Sequence, residues 1–266
     1  SVSEGGRKMD RYMLTIILLV VAATTVFVYV AVGQILPRRW RKQDVEASED
    51  FAINSVNVLI GLLFSILLAF VIAGVLSDFD RASNNAQEEA NALGAIYGLG
   101  QGISEPAKST WKSDTRNYAS LVVDEDWPLM LNQQASQNAW DALRTLRDNI
   151  FTFQPANALE QTLQDKAIDK AQAVYDSRRT RVDLINAGVP DFMWYFLISG
   201  ALLVALFPLL IKPHLTARLL IAIVLQSVVL AASLYLVNEF NHPFSGNVRV
   251  GPDAFEILIE RFDASP

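Results

Sequence analysis

The sequence predicts an all-α, polytopic membrane protein with four transmembrane helices in two hairpins and a helical bundle inserted between spans 2 and 3. Three observations lead to this prediction. The 266 residues are 52% hydrophobic and only 19% charged. Four stretches of 24, 27, 20 and 20 residues contain no Asp, Glu, Lys or Arg, and a helix needs roughly 20 apolar residues to cross a bilayer. The segment between the second and third stretches shows helical periodicity and no alternating run long enough for a sheet.

The first uncharged stretch, Met13–Leu36, follows an N-terminal tail, residues 1–12. It is longer than the roughly 7–15-residue apolar core of a cleavable signal peptide, and no small-residue cleavage pattern closes it. The basic run Arg38-Arg39-Trp40-Arg41-Lys42 then follows like a stop-transfer signal. We therefore expect a retained helix, which forms the first membrane region, residues 13–77, together with the second span, Phe51–Ser77.

Residues 78–191 form the predicted extramembrane bundle and contain 17 acidic and 11 basic residues. The second span should continue as a helix to Tyr97, where glycines at 98, 100 and 102 end it. Further helices are expected over 106–123, 136–153 and 156–187. The cluster Asp124–Pro128 should end the first of these, because the residue before a proline disfavours the α region.

The second membrane hairpin, residues 192–238, contains the third and fourth spans, Phe192–Ile211 and Leu219–Asn238. The tail, residues 239–266, is expected to hold a turn at Pro243–Gly246 and an amphipathic helix from Pro252 to Phe262. With the bundle inside, basic residues near the spans number 8 inside and 6 outside, which does not decide the orientation. A multi-pass protein of the bacterial plasma membrane is expected; a cytoplasmic bundle is the working orientation, and the opposite one stays open.

No enzyme constellation is recognisable in this sequence. The chain has no Cys, two His residues (His214 and His242), and no HExxH, GxSxG or P-loop motif. The glycine-rich run at 98–102 follows a helix rather than a strand and lacks a Lys-Ser/Thr ending, so we interpret it as an interhelical break. We expect no catalytic residues, no metal centre, no cofactor and no nucleic-acid partner, and we consider one acidic cluster separately.

The acidic cluster is Asp124, Glu125 and Asp126, a candidate cation-binding group. Hard cations take several carboxylate and carbonyl oxygens, and a turn forced by Pro128 would bring consecutive acids together. The alternative is a solvated helix end with Trp127 packed below it.

A second acidic pair, Glu88 and Glu89, lies on the first bundle helix. We interpret it as a solubilising surface or as one half of a helix–helix ion pair. The expected partner in the ion pair is Arg178 or Arg181, which precede the third span.

The second span carries polar and small residues on one helical face. The absence of charge from all four spans disfavours a proton-coupled carrier, whereas a passive pore can be gated by a hydrophobic constriction. If the stripe lines a pore, its polar end would form a hydrated entrance and its apolar end a dehydrated neck. If it is a packing face, its small residues would let neighbouring helices approach closely. Both interpretations stay open. The predicted pore-lining residues, spaced by three and four, are Asn54, Asn57, Gly61, Ser65, Leu68, Ile72 and Leu76.

Several local patterns resemble one bacterial membrane family. They are Leu67-Leu68-Ala69-Phe70, Glu88-Glu89-Ala90-Asn91-Ala92-Leu93 with Tyr97, Tyr118 with Val122-Val123-Asp124-Glu125-Asp126-Trp127-Pro128, Arg178 with Arg181, and His242-Pro243-Phe244-Ser245-Gly246. From about Asn54 to Phe262 the chain thus resembles a bestrophin-like membrane family of unknown function. The family-motif residues are Glu89, Asn91, Trp127, Pro128, Pro243, Phe244 and Gly246.

The resemblance implies a relation to bestrophins, pentameric chloride channels with four spans and a cytosolic helical region between spans two and three. In bestrophins the second span lines an apolar neck, which corresponds here to the Leu68–Leu76 face. Their acidic calcium-binding run after the fourth span is absent, since Asn238–Gly246 holds only Glu239, so calcium gating is not expected. The bundle's net charge of −6 suits a cation-attracting vestibule, and selectivity stays open.

The leading hypothesis is therefore a homo-oligomeric ion channel, pentameric by resemblance, with the lipid bilayer and inorganic ions as its partners. The alternative is a non-conducting scaffold or accessory subunit whose bundle docks a partner protein. A symmetric ring of four or more copies would favour the channel, and a monomer, dimer or hetero-complex would favour the scaffold.

Overall fold

The structure is a computed structural model that describes residues 47–208, 217–246 and 248–264. All regular elements in these ranges are helical. The predicted first span, Met13–Leu36, and the basic run after it lie outside the described residues. In chain order the elements are α1 Ala47–Gly100, α2 Ala107–Leu121, a π-helical turn Val122–Asp126, α3 Trp127–Met130, α4 Gln137–Thr152, α5 Ala158–Leu184, α6 Asp191–Leu206, α7 Ala217–Phe240 and α8 Asp253–Ala264.

The chain divides into two compact units. The membrane unit consists of the described residues of Ser1–Val75 and Val189–Glu239, and the bundle unit of those of Leu76–Gly188 and Phe240–Pro266. Helix α1 belongs to both units, because it runs without interruption from Ala47 to Gly100. This confirms that the second predicted span continues as a bundle helix as far as the glycine-rich run.

Two helices of the described chain are long and apolar enough to cross a membrane, Phe51–Gly100 and Leu220–Phe240. They contain the whole of the predicted second span and all but the first residue of the predicted fourth span. Helix α6 is apolar but has 16 residues, about 24 Å at 1.5 Å per residue, which is shorter than a hydrocarbon core of about 30 Å. The predicted third span extended to Ile211, and its last three residues lie outside the described part. Two of the four predicted spans are therefore supported.

The membrane unit packs apolar faces of its helices. Phe64, Leu68 and Val75 are buried on α1, while α6 buries Leu197, Ala201 and Val204. Helix α7 adds an interhelical hydrogen bond, since Gln226 Nε2 donates to the Val204 carbonyl oxygen at 3.3 Å. A polar side chain in a membrane helix commonly finds a partner in this way.

The bundle helices α4 and α5 begin at side-chain caps. Ser136 Oγ accepts a hydrogen bond from the Ala139 N–H at 3.2 Å. Asn157 Oδ1 accepts from the Glu160 N–H at 3.0 Å, and the Glu160 carboxylate accepts from the Ala156 N–H at 2.7 Å. These bonds occupy N–H groups that have no partner within the helix. The helices consequently start close to the positions predicted from the sequence.

The predicted helix end at Asp124–Pro128 is wrong. Helix α2 continues through the π-helical turn into α3, so the backbone stays helical past Pro128 to Met130. In the π turn the Trp127 N–H donates to the Val122 carbonyl, five residues earlier. A proline inside an α-helix lacks an N–H and its ring collides with the carbonyl four residues before it, and the wider turn relieves this conflict.

The tail helix α8 packs on the bundle core through the apolar face predicted for it. Phe255, Leu258 and Phe262 are buried, and Ile259 is partly buried against the same core. The ring of Phe262 stacks on Tyr97 with centroids 4.0 Å apart. The tail is therefore an integral element of the bundle unit.

Candidate functional site

The first candidate site is the stripe of α1, which lies in the membrane unit except for Leu76, the first residue of the bundle unit. Helical spacing does place its members along one side, but their exposure differs. Asn54, Ser65 and Leu76 are exposed, Asn57, Gly61 and Ile72 are partly exposed, and Leu68 retains only 5% of its surface. Three of the seven residues are thus exposed in this chain, three are partly covered and one is buried.

Leu68 differs because it faces the interior of the membrane unit. It lies one helical turn after Phe64, which is also buried at 7% exposure. The neighbouring Ser65 is exposed and its hydroxyl donates to the Gly61 carbonyl at 2.7 Å, a bond that satisfies a hydroxyl within its own helix. With no charged side chain between Phe51 and Ser77, the stripe offers hydroxyl, amide and hydrocarbon groups but no fixed charge.

The second candidate site is a buried ionic network in the bundle unit. Glu89 of α1 and Arg181 of α5 are both completely buried. Arg181 Nε donates to Glu89 Oε2 at 2.7 Å and Arg181 Nη2 to Glu89 Oε1 at 3.0 Å. This bidentate geometry is the strong form of an arginine–carboxylate pair. The predicted helix–helix ion pair is therefore confirmed for Glu89, whereas Glu88 is exposed.

Asp126, in the π turn, connects a second arginine to this pair. Its Oδ2 atom lies 2.6 Å from Arg178 Nη1 and 2.8 Å from Arg181 Nη1. The Ser136 N–H donates to Asp126 Oδ1 at 2.7 Å, and the Ser136 carbonyl accepts from Arg178 Nη2 at 3.1 Å. Tyr118 completes the network, since its hydroxyl donates to Glu89. Two buried cations thus face two buried anions, the balance that a buried ionic group requires.

The network sets the protonation of its members. Burial alone would raise the pKa of Asp126, but Arg181, Arg178 and the Ser136 N–H together hold that pKa below its ordinary value. Burial alone would lower the pKa of Arg181, but Glu89 and Asp126 raise it. Burial and the negative charge of Glu89 raise the pKa of Tyr118, against the weaker effect of the two arginines. Tyr118 consequently stays a neutral donor at physiological pH.

Aromatic rings enclose the two guanidinium groups. Arg178 lies 4.6 Å from the ring centroid of Trp140, and Arg181 lies 4.8 Å from that of Trp127. Desolvated cation–π contacts of this kind are each worth about 2 kcal/mol. The Trp127 indole N–H donates to the Val250 carbonyl at 3.1 Å, so the ring next to Arg181 also ties the tail to the bundle.

Residues 19–255 match the family described as "Bestrophin-like domain". The chain belongs to the bestrophin-like family. Among curated proteins no sequence matches it significantly.

The bestrophin-like chain is also similar to solved structures over nearly its whole length. One point variant of a bacterial bestrophin homologue from Klebsiella pneumoniae superimposes with a TM-score of 0.71 at 15% identity, covering 95% of this chain and 98% of that one. A second variant gives 0.69 at 16% identity, covering 94% and 97%. A structure described as a membrane protein gives 0.69 at 14% identity, with the same coverage. At these identities the likeness establishes a shared fold.

Several family-motif residues of this bestrophin-like chain meet at the ionic network. Glu89 binds Arg181, and Trp127 makes an edge contact with Phe244, whose ring centroid is 6.1 Å away. The tail motif forms a turn, in which the Pro243 carbonyl accepts from the Val250 N–H at 2.8 Å and the Gly246 N–H donates to the His242 carbonyl at 3.1 Å. Asn91 and Pro128 are exposed.

The three acids of the candidate cation-binding cluster have different surroundings. Asp126 binds the two arginines, Glu125 Oε2 accepts from Ser136 Oγ and Asn138 Nδ2 at 2.9 Å each, and Asp124 is exposed. Within residues 47–208, 217–246 and 248–264, no group of three or more His, Cys, Asp or Glu is arranged to hold a metal ion. We therefore propose no cation site here.

The sequence patterns predict an arginine partner for the Glu88–Glu89 pair, but they do not connect Tyr118, Asp126, Ser136 or Trp140 with it. They group Asp126 with its acidic neighbours and place Ser136 at the start of a helix. One signal in the sequence indicates the turn. Pro128 disfavours continuation of the helix, whereas the apolar residues around it favour continuation. A π turn resolves such a conflict and rotates the side chain at 126 inward.

Proposed function

We propose that this bestrophin-like chain is one subunit of a homo-oligomeric ion channel whose pore is lined by the membrane half of α1. Membership of the family supports a channel, and the shared fold over 95% of the chain supports a related architecture. Five copies are proposed by resemblance to bestrophins. The bundle lies on the cytoplasmic side in this proposal.

The observation that carries the proposal is the exposure of an uncharged, partly polar stripe on an otherwise apolar helix. Asn54 and Ser65 lie on it, and both are exposed in the single chain. The Ser65 hydroxyl is satisfied within its own helix, but an exposed amide such as that of Asn54 is unfavourable against lipid and favourable against a water-filled pore. Leu76 and Ile72 continue the stripe and would form the apolar neck, with Leu68 supporting the helix from the packed side.

Selectivity is proposed at the level of small inorganic ions. The family relation supports anion conduction, while the bundle's net charge of −6 favours cations at its surface. Because the membrane stripe itself has no fixed charge, we expect the neck to gate by dewetting rather than by binding one ion species.

The test is ion flux through purified protein reconstituted in liposomes, measured separately with a chloride and a potassium gradient. Leu76→Ala should increase the flux severalfold, because a smaller apolar side chain makes the neck wetter. The matched control is Leu63→Ala. Leu63 is also exposed, at 67%, but lies nine residues before Ile72 and therefore half a turn around the helix; this control should conduct like the wild type.

Absence of flux under both gradients would contradict the channel. A wild-type channel whose flux responds to Leu63→Ala and not to Leu76→Ala would move the pore to the other face. Mass measurement after mild-detergent extraction gives the independent result: a ring of identical subunits supports the proposal, and a monomer or hetero-complex without flux supports an accessory subunit.

A further inference from the structure

Among the glycines that the structure describes in the membrane unit, Gly200 makes the closest approach to another helix, and that helix is the proposed pore helix α1. Gly200 of α6 faces the ring of Phe64 on α1. A Cβ atom added at Gly200 would lie 2.5 Å from Phe64 Cε2 and 2.7 Å from Cδ2. Carbon atoms in good contact are about 3.5–4.0 Å apart, so even one methyl group requires the ring to retreat by about 1 Å.

The ring has little room in which to retreat. Phe64 is buried at 7% exposure, and Gly200 is flanked on α6 by buried Leu197, Ala201 and Val204. Packed protein interiors contain few voids and transmit strain. We expect an added methyl group at Gly200 to be accommodated in part by displacing α1 away from α6.

The displacement acts on the proposed pore face. At 100° per residue, Leu76 lies about 120° around the helix from Phe64, which faces α6. If α1 moves away from α6, the movement therefore has a component along the direction in which Leu76 points. We infer that the contact between Gly200 and Phe64 sets the width of the neck, with Gly200 and Phe64 as positioning residues that do not touch the permeant ion. This inference rests on the proposed function.

The experiment compares liposome flux of a small and a large permeant ion, chloride against gluconate and sodium against N-methyl-D-glucamine. Gly200→Ala should lower the flux and shift the size limit toward smaller ions, because the neck narrows. Phe64→Leu should shift the limit toward larger ions. The double variant should return both readouts toward the wild type, since the smaller side chain makes room for the methyl group.

The control is Gly74→Ala on the same helix. A Cβ atom at Gly74 meets nothing within 4 Å, so this variant should match the wild type in flux and size limit. Each variant is first checked for the wild-type oligomer mass. If Gly200→Ala alone fails to assemble, the size limits of Phe64→Leu and of the double variant decide the matter.

The outcomes separate the inference from the proposed function. A wild-type chain without flux overturns the proposed function, and the positioning role is overturned with it. A conducting wild type whose size limit is unchanged in Gly200→Ala and Phe64→Leu overturns only the positioning role. A narrowed Gly200→Ala channel that Phe64→Leu does not restore also overturns it.

Discussion

In the membrane unit the side chains buried on α1, namely Phe64, Leu68 and Val75, are all apolar, whereas further along the same helix Glu89 is buried without any exposed surface. Glu89 is tolerated there because Arg181 binds both of its carboxylate oxygens. One helix therefore serves two environments. Its membrane half contributes shape and packing, and its bundle half contributes one member of a charged network.

The two halves of α1 differ because an unpaired charged group has a different cost in lipid and in the bundle interior. A charge in hydrocarbon is costly, and the segment Phe51–Ser77 of α1 has none; its polar groups are hydroxyls and amides. In the bundle, removal of one partner leaves a buried charge uncompensated, which costs more than the pair contributes. The bundle unit should consequently be sensitive to charge changes and to acid, and the membrane unit to neither.

The largest expected effect is that of Arg181→Met. The substitution puts an unbranched apolar side chain in place of the arginine and so removes the cation between Glu89 and Asp126. We expect a loss of about 3–5 kcal/mol in the free energy of unfolding, because a buried charge stays unpaired. Denaturant unfolding of detergent-solubilised protein, followed by tryptophan fluorescence, measures it. Arg179→Met is the control on the same helix; Arg179 is exposed, and its replacement should cost less than about 0.5 kcal/mol. Equal losses for the two variants would refute a special role for the network.

Leu68→Ala tests the membrane unit in the same assay. We expect the free energy of unfolding to fall by about 2 kcal/mol, at the low end for a buried leucine. The loss is small because a leucine side chain is as well accommodated in lipid as in the interior of the membrane unit. Leu63→Ala, at an exposed position, should have little effect. A loss for Leu68→Ala as small as that of its control would mean that α1 does not pack through Leu68.

Acidification should have the smallest effect, and in one unit only. Since the folded-state pKa of Asp126 is lowered, its contribution to stability is present above the ordinary aspartate pKa of about 3.9 and is lost as the pH falls through the folded value. Stability therefore decreases with acid below about pH 4. Asp126→Asn should weaken this pH dependence, measured as the unfolding free energy from neutral to acidic pH, while Leu68→Ala should retain it. An unchanged slope in Asp126→Asn would assign the acid sensitivity to other carboxylates.

Much of the bundle could be predicted from local patterns. Helices starting at residues 136 and 156 are predicted, close to the observed caps Ser136 and Asn157, and the apolar face of α8 follows from helical spacing. The pairing of Glu89 with Arg178 or Arg181 is one of the two alternatives that the sequence leaves open, and the structure has the pair with Arg181. The π turn was not predicted, because the proline rule is local and describes what an α-helix avoids rather than how a packed helix accommodates it.

The candidate sites were predictable to different degrees. The spacing of Asn54, Ser65 and Leu76 fixed their common side of α1. It did not reveal that Leu68, only three residues after Ser65, is buried in the same unit. The carboxylate of Asp126 could not be assigned to two arginines, because its partner Arg178 is 52 residues away in the chain.

The amino-acid sequence by itself determined which segments can lie in lipid, since uncharged length is a property of the chain alone, and which faces of each helix are apolar or polar. Only the tertiary structure decided what lies against each face: that Phe64 meets Gly200, that Leu68 turns inward, and that Asp126 lies between two guanidinium groups. The physical reason is that helical periodicity gives the angle of a side chain about its own axis, whereas its neighbour depends on how separate helices pack.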